Sequence, residues 1–161
     1  NEDLIIARNS TNIPLLRKDF IIDPIQVYES KMLGADCILL IMSALSKESF
    51  GQMYSLAMSL KLDVLVEVHD IDELTLAQSY GVKLLGINNR NLKTFEVDIN
   101  TSLMLSARIK DDKTVIISES GIHDAEDINI MNGAGIYTFL IGEHLVKSTD
   151  VSKDLGELIN A

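Results

Sequence analysis

The chain of 161 residues has a single cysteine, no long apolar run and a deficit of positive charge. Cys37 has no second cysteine for an internal disulfide, and its apolar surroundings favour a small buried side chain. No segment reaches the roughly 18 apolar residues that a transmembrane helix needs. The first residues lack the basic and apolar zones of a signal peptide. We therefore expect a cytoplasmic protein in a reducing compartment.

Acidic residues outnumber basic ones by 24 to 14, which gives a net charge of −10. This argues against the basic surface typical of proteins that bind nucleic acid or anionic membranes, but not against a phosphorylated small-molecule ligand. The three histidines, His69, His123 and His144, show no metal-ligand spacing. No glycine-rich dinucleotide or P-loop motif is present. We expect neither a metal nor a cofactor.

Short apolar runs alternate with amphipathic segments of helical length. Continuous apolar runs indicate strands that are covered on both faces, as in a parallel sheet. The predicted strands span residues 14–17, 36–42, 63–68, 83–88, 114–118 and 137–142. The predicted helices span residues 1–9, 24–33, 47–60, 71–80, 100–109, 124–131, 143–146 and 151–161.

The pattern predicts one α(βα)6 domain over residues 1–161, with no linker. Two architectures suit such an alternation: an open doubly wound sheet and a closed barrel. Closure of a barrel normally takes eight units and about 250 residues. Six units alone therefore favour the open sheet.

Polar residues follow several of the predicted strands, where function lies in either architecture. Lys18 and Glu67 can act as an acid and a base if they converge, or they can form a structural ion pair. Gly121 and Gly142 also follow strands. Their backbone N–H groups can bind a phosphate, or the glycines can simply form turns.

Five segments resemble, in order and spacing, the strand-end motifs of indole-3-glycerol phosphate synthases. They correspond to the family's third, fifth, sixth, seventh and eighth strands, and they span residues 15–23, 65–69, 86–95, 118–122 and 140–143. The resemblance implies a TIM (βα)8 barrel that is incomplete, with six of its eight βα units. It reverses the preference for an open sheet.

The resemblance also implies a reaction and roles for residues. The family closes the indole ring of 1-(2-carboxyphenylamino)-1-deoxyribulose 5-phosphate, with loss of carbon dioxide and water and without a cofactor. Lys18 is then the general acid that protonates the reacting carbonyl. Glu67 is an acid–base residue of the dehydration, and Asn88 orients the substrate.

Further residues are implied as substrate contacts. Those that touch the body of the substrate are Phe20, Arg90, Glu119 and Ser120. The phosphate is implied to bind backbone N–H groups of Gly121, Gly142 and Glu143. We expect the Glu143 side chain to point away from the phosphate, because like charges repel.

One part of the family pattern has no counterpart here. The family's first strand carries a Glu-x-Lys motif that supplies a second catalytic lysine and a glutamate. We therefore expect this chain to be part of a longer synthase and to have little or no activity alone. We expect its two barrel edges to be filled by an N-terminal segment or by a second chain. Another sugar-phosphate barrel isomerase and a non-catalytic phosphate-binding partial barrel remain as alternatives.

Overall fold

The computed structural model describes residues 2–161, which form alternating helices and parallel strands. The strands are β1 (Leu16–Arg17), β2 (Cys37–Ile41), β3 (Asp63–Val68), β4 (Leu84–Asn88), β5 (Val115–Glu119) and β6 (Thr138–Leu140). The helices are α1 (Glu2–Ser10), α2 (Pro24–Met32), α3 (Lys47–Ser59), α4 (Ile71–Ser79), α5 (Asn100–Ser106), α6 (Ala125–Gly133), α7 (Glu143–Lys147) and α8 (Val151–Ile159). A 3₁₀ helix, Met42–Ala44, follows β2.

The six strands form one parallel sheet in which each strand pairs with the next along the chain. A doubly wound sheet reverses its strand order at a switch point, whereas a barrel keeps the order of the chain. The incomplete (βα)8 barrel is therefore confirmed, and the open sheet that six units favoured is wrong. Within residues 2–161, β1 and β6 each have a neighbour on one side only.

The observed elements match the predicted ones most closely in the middle of the sheet. The two edge strands are shorter than predicted, with two residues in β1 and three in β6. Both strands lie at the edges of the sheet within residues 2–161, where short strands are common because they limit pairing with other chains. The helix predicted over residues 1–9 runs over Glu2–Ser10, and Asn1 lies outside the described residues.

Alternation along the strands divides the core into two layers. Side chains of one parity, such as Val64 and Val66 of β3, pack outward beneath the helices in the larger cluster. Leu65, between them, lies in a second cluster on the concave face. Its partners there include Leu39, Ile41, Leu84, Ile117 and Leu140. Because side chains on one strand face recur every second residue, Glu67 shares the concave face with Leu65.

Aspartate caps fix where several helices begin after the strands. The Asp70 carboxylate accepts hydrogen bonds from the backbone N–H groups of Asp72 and Glu73, and Asp124 caps α6 in the same way. Such caps satisfy donors that have no partner inside the helix. No helix among residues 2–161 combines the length and the apolar character needed to cross a membrane.

Candidate active site

Three neighbouring strands each deliver one polar side chain to the concave face. Glu67 lies near the end of β3, Asn88 ends β4 and Glu119 ends β5, and Asn88 lies opposite Glu119 in the sheet register. Only 1% of Glu67, 8% of Asn88 and 1% of Glu119 is exposed. Carboxylates are rarely buried to this extent without a partner, which makes the cluster a candidate functional site.

Lys18 supplies the positive charge that faces both carboxylates. It follows β1, and its Nζ atom lies 3.7 Å from Oε2 of Glu67 and 3.6 Å from Oε2 of Glu119. Its side chain remains 44% exposed at the mouth of the barrel. The predicted convergence of Lys18 and Glu67 is therefore present, and Glu119 is the third ionisable group of this cluster.

The two carboxyl groups differ in their affinity for protons. Burial and the negative charge of Glu67 raise the pKa of Glu119 to about 8, although Lys18 opposes the shift. Burial also acts to raise the pKa of Glu67, but contacts with His69, Asn88 and Lys18 outweigh it and leave that pKa lowered. At neutral pH the pair therefore offers one protonated carboxyl and one carboxylate, which suits acid–base chemistry.

Asn88, at the end of β4, is hydrogen-bonded to Glu67 on β3 and to Ser120 after β5. Its Nδ2 donates to Oε1 of Glu67 at 3.0 Å, and its Oδ1 accepts from Oγ of Ser120 at 2.9 Å. The same oxygen accepts from the backbone N–H of Arg90. Oε2 of Glu67 and both carboxyl oxygens of Glu119 have no hydrogen-bond partner among the described residues. Their open hydrogen-bonding capacity is available to a ligand in the mouth.

A cavity of about 260 Å³ adjoins this cluster between the loops after β5 and β6. Its lining includes Lys18, Arg90, Ser120, Gly121, Gly142, Glu143, His123 and His144. Ser120 has φ +66° and Gly121 φ +77°, so two successive residues adopt left-handed backbone conformations. A Cβ atom at Gly121 would lie 2.5 Å from Cγ1 of Val97, which makes glycine necessary in this turn.

Of the predicted substrate contacts, Arg90 and Glu143 line this cavity, whereas Phe20 does not. Arg90 and Glu143 face each other, with Nη2 of Arg90 2.5 Å from Oε2 of Glu143. The other oxygen of Glu143 pairs with Lys147. Lys147 and Arg90 lower the pKa of Glu143. Phe20 is separate from the cavity lining, with 60% of its surface exposed.

Three residues of the site were missed by sequence reasoning. His69 lies between two glutamates, 3.2 Å from Oε1 of Glu67 and 3.1 Å from Oε2 of Glu73. A Cβ atom at Gly86 would overlap Oε1 of Glu119, so this glycine in β4 makes room for the carboxyl. Glycine inside a strand often marks such a close approach, and that signal was available in the sequence.

Asn89 is the third missed residue, and its side chain is hydrogen-bonded to the end of β5 and to the loop that follows. Its side chain is buried, and its Nδ2 donates to Oγ of Ser118 and to the carbonyl oxygen of Ser120. Its Oδ1 accepts from the backbone N–H and the hydroxyl of Ser102. These bonds hold the Ser120 turn against α5. Because Asn88 and Asn89 are successive asparagines at the end of a strand, the sequence does not show which of the two faces the concave side of the sheet.

Comparison with known proteins agrees with the strand-end motifs. The family model described as "Indole-3-glycerol phosphate synthase" matches residues 1–158. This chain belongs to the indole-3-glycerol phosphate synthase family. Membership extends over nearly the whole chain, from α1 to α8. Across residues 2–161 of this family member, no group of three or more His, Cys, Asp and Glu side chains is arranged to hold a metal ion.

Solved structures with low sequence identity share the fold of this family member. 3-Hexulose-6-phosphate synthase from Salmonella typhimurium matches with a TM-score of 0.82 at 13% identity, over 98% of this chain and 77% of that one. KGPDC from Streptococcus mutans gives 0.72 at 13% identity, over 98% and 75%. 3-Keto-L-gulonate-6-phosphate decarboxylase from Vibrio cholerae gives 0.73 at 17%, over 99% and 77%. At these identities the likeness establishes the α/β-barrel fold alone.

Proposed function

We propose that this chain carries most of the active site of an indole-3-glycerol phosphate synthase. The substrate is 1-(2-carboxyphenylamino)-1-deoxyribulose 5-phosphate, and the ring closes with loss of carbon dioxide and water. The observation that carries the proposal is the Lys18 ammonium within 4 Å of two buried carboxyl groups, Glu67 and Glu119. Family membership supports it independently.

Ring closure needs an acid at the reacting carbonyl, and Lys18 is the group we assign to it. Attack of the aromatic ring on the carbonyl places negative charge on its oxygen, which an ammonium can stabilise and protonate. Lys18 reaches the mouth from the end of β1, with nearly half of its side chain open to a ligand. Its charge also suits the substrate carboxylate, which leaves as carbon dioxide.

The later dehydration needs a base and an acid, and we assign Glu67 and Glu119 to this step. Glu67 is the ionised member and accepts the proton that the ring loses. Glu119, with a pKa raised to about 8 by burial and by Glu67, is protonated at neutral pH and donates its proton to the departing hydroxyl, which leaves as water. Asn88 and Ser120 then orient the substrate through the hydrogen-bonded chain that joins them.

The cavity between the loops after β5 and β6 is our candidate for the substrate phosphate. Backbone N–H groups near Gly121 and Gly142 supply donors there, and Arg90 supplies a positive charge at the rim. Loops after the last two strands commonly bind phosphate in this barrel fold. The Glu143 carboxylate pairs with Arg90 and Lys147 at the rim of this cavity, so its negative charge is partly balanced there.

We further propose that two more βα units, on an N-terminal segment or a second chain, close the barrel during turnover. Within residues 2–161 the strands at the two ends of the sheet, β1 and β6, have open edges. The family supplies a second lysine and a glutamate from its first strand, and this sequence has no match for that motif. We therefore expect little or no turnover by the 161-residue chain alone.

The test measures indole fluorescence from the substrate. The parent chain is mixed with a polypeptide that carries the first two βα units of a family member, and we expect turnover. The Lys18→Met chain should lose at least 100-fold in kcat, since general acid catalysis contributes on the order of 10²–10⁴. The matched control is Lys113→Met, which removes an exposed lysine outside the site.

Two outcomes would contradict this proposal. One is an inactive mixture although the two parts associate, and the other is a Lys18→Met chain that is as fast as the parent. Release of another product from a ketose phosphate would instead favour a different sugar-phosphate enzyme.

A further inference from the structure

His69 occupies a position between two carboxylates that the proposed reaction leaves unexplained. It follows β3 directly after Val68, and only 14% of its side chain is exposed. Its Nε2 lies 3.2 Å from Oε1 of Glu67, as a close charge contact rather than an aligned hydrogen bond. Its Nδ1 lies 3.1 Å from Oε2 of Glu73, in the first turn of α4.

Glu73 fixes this arrangement through two contacts with one residue. The same Oε2 atom that meets the imidazole also accepts the backbone N–H of His69 at 2.8 Å. Asp70 in turn caps α4 and accepts the backbone N–H of Glu73. The ring is therefore held by the start of α4, with its other nitrogen beside Glu67.

We propose that His69 is a positioning residue of the active site: held by Glu73, its imidazolium keeps Glu67 ionised and fixes the Glu67 carboxylate beside Lys18. The role within catalysis rests on the proposed function, whereas the ion pair itself does not. The His69 imidazolium lies between the carboxylates of Glu73 and Glu67, and its positive charge favours the ionised form of Glu67.

The charges around Glu67 explain why such a residue is needed. Burial disfavours the ionised form of Glu67, and Glu119 on β5 would repel the Glu67 carboxylate if both groups were ionised. Lys18 is the opposing charge from β1, but it is half-exposed and is shared between the two carboxyl groups. His69 contributes a positive charge on the other side of Glu67. Without the charge of His69, the proton held by Glu119 could move to Glu67.

The state of His69 follows from its two partners. Burial acts to lower its pKa, but the contacts with Glu67 and Glu73 outweigh this and raise that pKa to about 9. His69 is thus charged at neutral pH. The charged groups lining the adjacent cavity with it are Asp70, Glu73, Arg90, Lys93, Glu96 and Asp98.

The test follows the titration of both side chains by NMR in the 161-residue chain. Carboxyl ¹³C signals report Glu67, and ring ¹⁵N signals report His69. In the parent, His69 should titrate near pH 9 and Glu67 below its ordinary range. In His69→Gln, the Glu67 midpoint should rise by roughly one unit or more, the size of effect expected from a lost neighbouring charge.

Glu73→Gln provides a second, gentler variant. A glutamine oxygen can still accept the backbone N–H of His69, so the loop is retained while the charge is lost. The pKa of His69 should then fall, and Glu67 should shift upward by less than in His69→Gln. Glu48→Gln is the matched control, because Glu48 is an exposed acid in the first turn of α3. It should leave both titrations unchanged.

Two results would overturn the proposal. One is an unchanged Glu67 titration in both variants, and the other is a neutral His69 at pH 7 in the parent.

The turnover assay tests separately whether the ion pair serves catalysis. In His69→Gln, the pH at which kcat declines on the acid side should rise by as much as the pKa of Glu67 rises, with little change in KM. A rise in the pKa of Glu67 by NMR without this change in the pH profile of kcat would show that the ion pair does not serve catalysis. An inactive parent mixture would count against the proposed function, while NMR would still decide the ion pair.

Discussion

Gly86 lies directly beneath the carboxyl group of Glu119, and any Cβ atom at this position would overlap Oε1. Gly86→Ala should therefore displace Glu119 or destabilise the fold, since overpacking in a core costs about 1–3 kcal/mol. Urea unfolding measures the cost. Gly156→Ala is the control, because a Cβ atom at this position in α8 meets no atom within 4 Å. That variant should be neutral or slightly more stable. Equal effects at both glycines would contradict the role of Gly86.

Glu119 should make the stability of the protein depend on pH. Its folded-state pKa, about 8, lies above the ordinary value of 4.5, so the folded state retains a proton that the unfolded chain releases. The free energy of unfolding should therefore fall as pH rises from about 5 to 8. Glu119→Gln removes this titration and should flatten the decline. Parallel pH profiles of parent and variant in urea unfolding would argue against a raised pKa.

Asn89→Ala should destabilise the loop after β5. The truncation leaves the buried groups of Ser102 and Ser118 without an amide partner, at about 1–3 kcal/mol for each unsatisfied group. We expect a loss of about 2–3 kcal/mol in urea unfolding. Asn129→Ala, on the exposed side of α6, should change stability by less than about 0.5 kcal/mol. A small effect at Asn89 would mean that the network is not needed.

Removing the charge of Glu143 should strengthen phosphate binding. Its carboxylate pairs with Arg90 at the rim of the cavity and would repel an anion there. The pair is exposed to solvent, which screens its charges, so we expect a modest gain of roughly fivefold in Kd. Isothermal titration of Glu143→Gln with inorganic phosphate measures this, with the exposed Glu126→Gln as control. Weaker binding in Glu143→Gln would place the phosphate elsewhere.

The open edges of the sheet should be protected when further βα units are supplied. Ile13, beside β1, is 65% exposed, and Tyr137, beside β6, is 73% exposed. Both are large side chains that a neighbouring unit can cover. Hydrogen exchange at β1 and β6 should slow in the mixture described above, while β3 changes little. Unchanged exchange at both edges would show that the added units do not bind there.

The strand–helix alternation and the carboxyl ends of the strands could be read from the sequence, because buried parallel strands are continuously apolar. The count of six strand–helix units alone favoured an open sheet, and that prediction was wrong. The choice between a barrel and an open sheet depends on which strands pair, and it was the family motifs that resolved it. The convergence of Lys18 and Glu67 could be predicted because each lies at or beside the end of a strand, whereas Asn88 was implied by the family resemblance.

The residues that sequence reasoning missed position other side chains of the site, and we assign none of them a contact with the substrate. His69 was discounted because it has no metal-ligand spacing, whereas its partner Glu73 is four residues away, in the first turn of a helix. A glycine inside β4 signals a close approach, but only the structure shows that the approaching group is the Glu119 carboxyl. Such roles depend on contacts between strands, which a single sequence does not display.

The concave face also ties the chemistry to the accuracy of strand pairing. Glu67 lies between Val66 and Val68, which both pack beneath the helices. A slip of β3 by one residue against its neighbours would turn Glu67 into that apolar layer and bring a valine to the mouth. Misregistered chains would therefore bury an unpaired carboxylate and take the proposed base away from the mouth. The carboxylate that we propose for the reaction thus also disfavours wrong strand pairing when the barrel assembles.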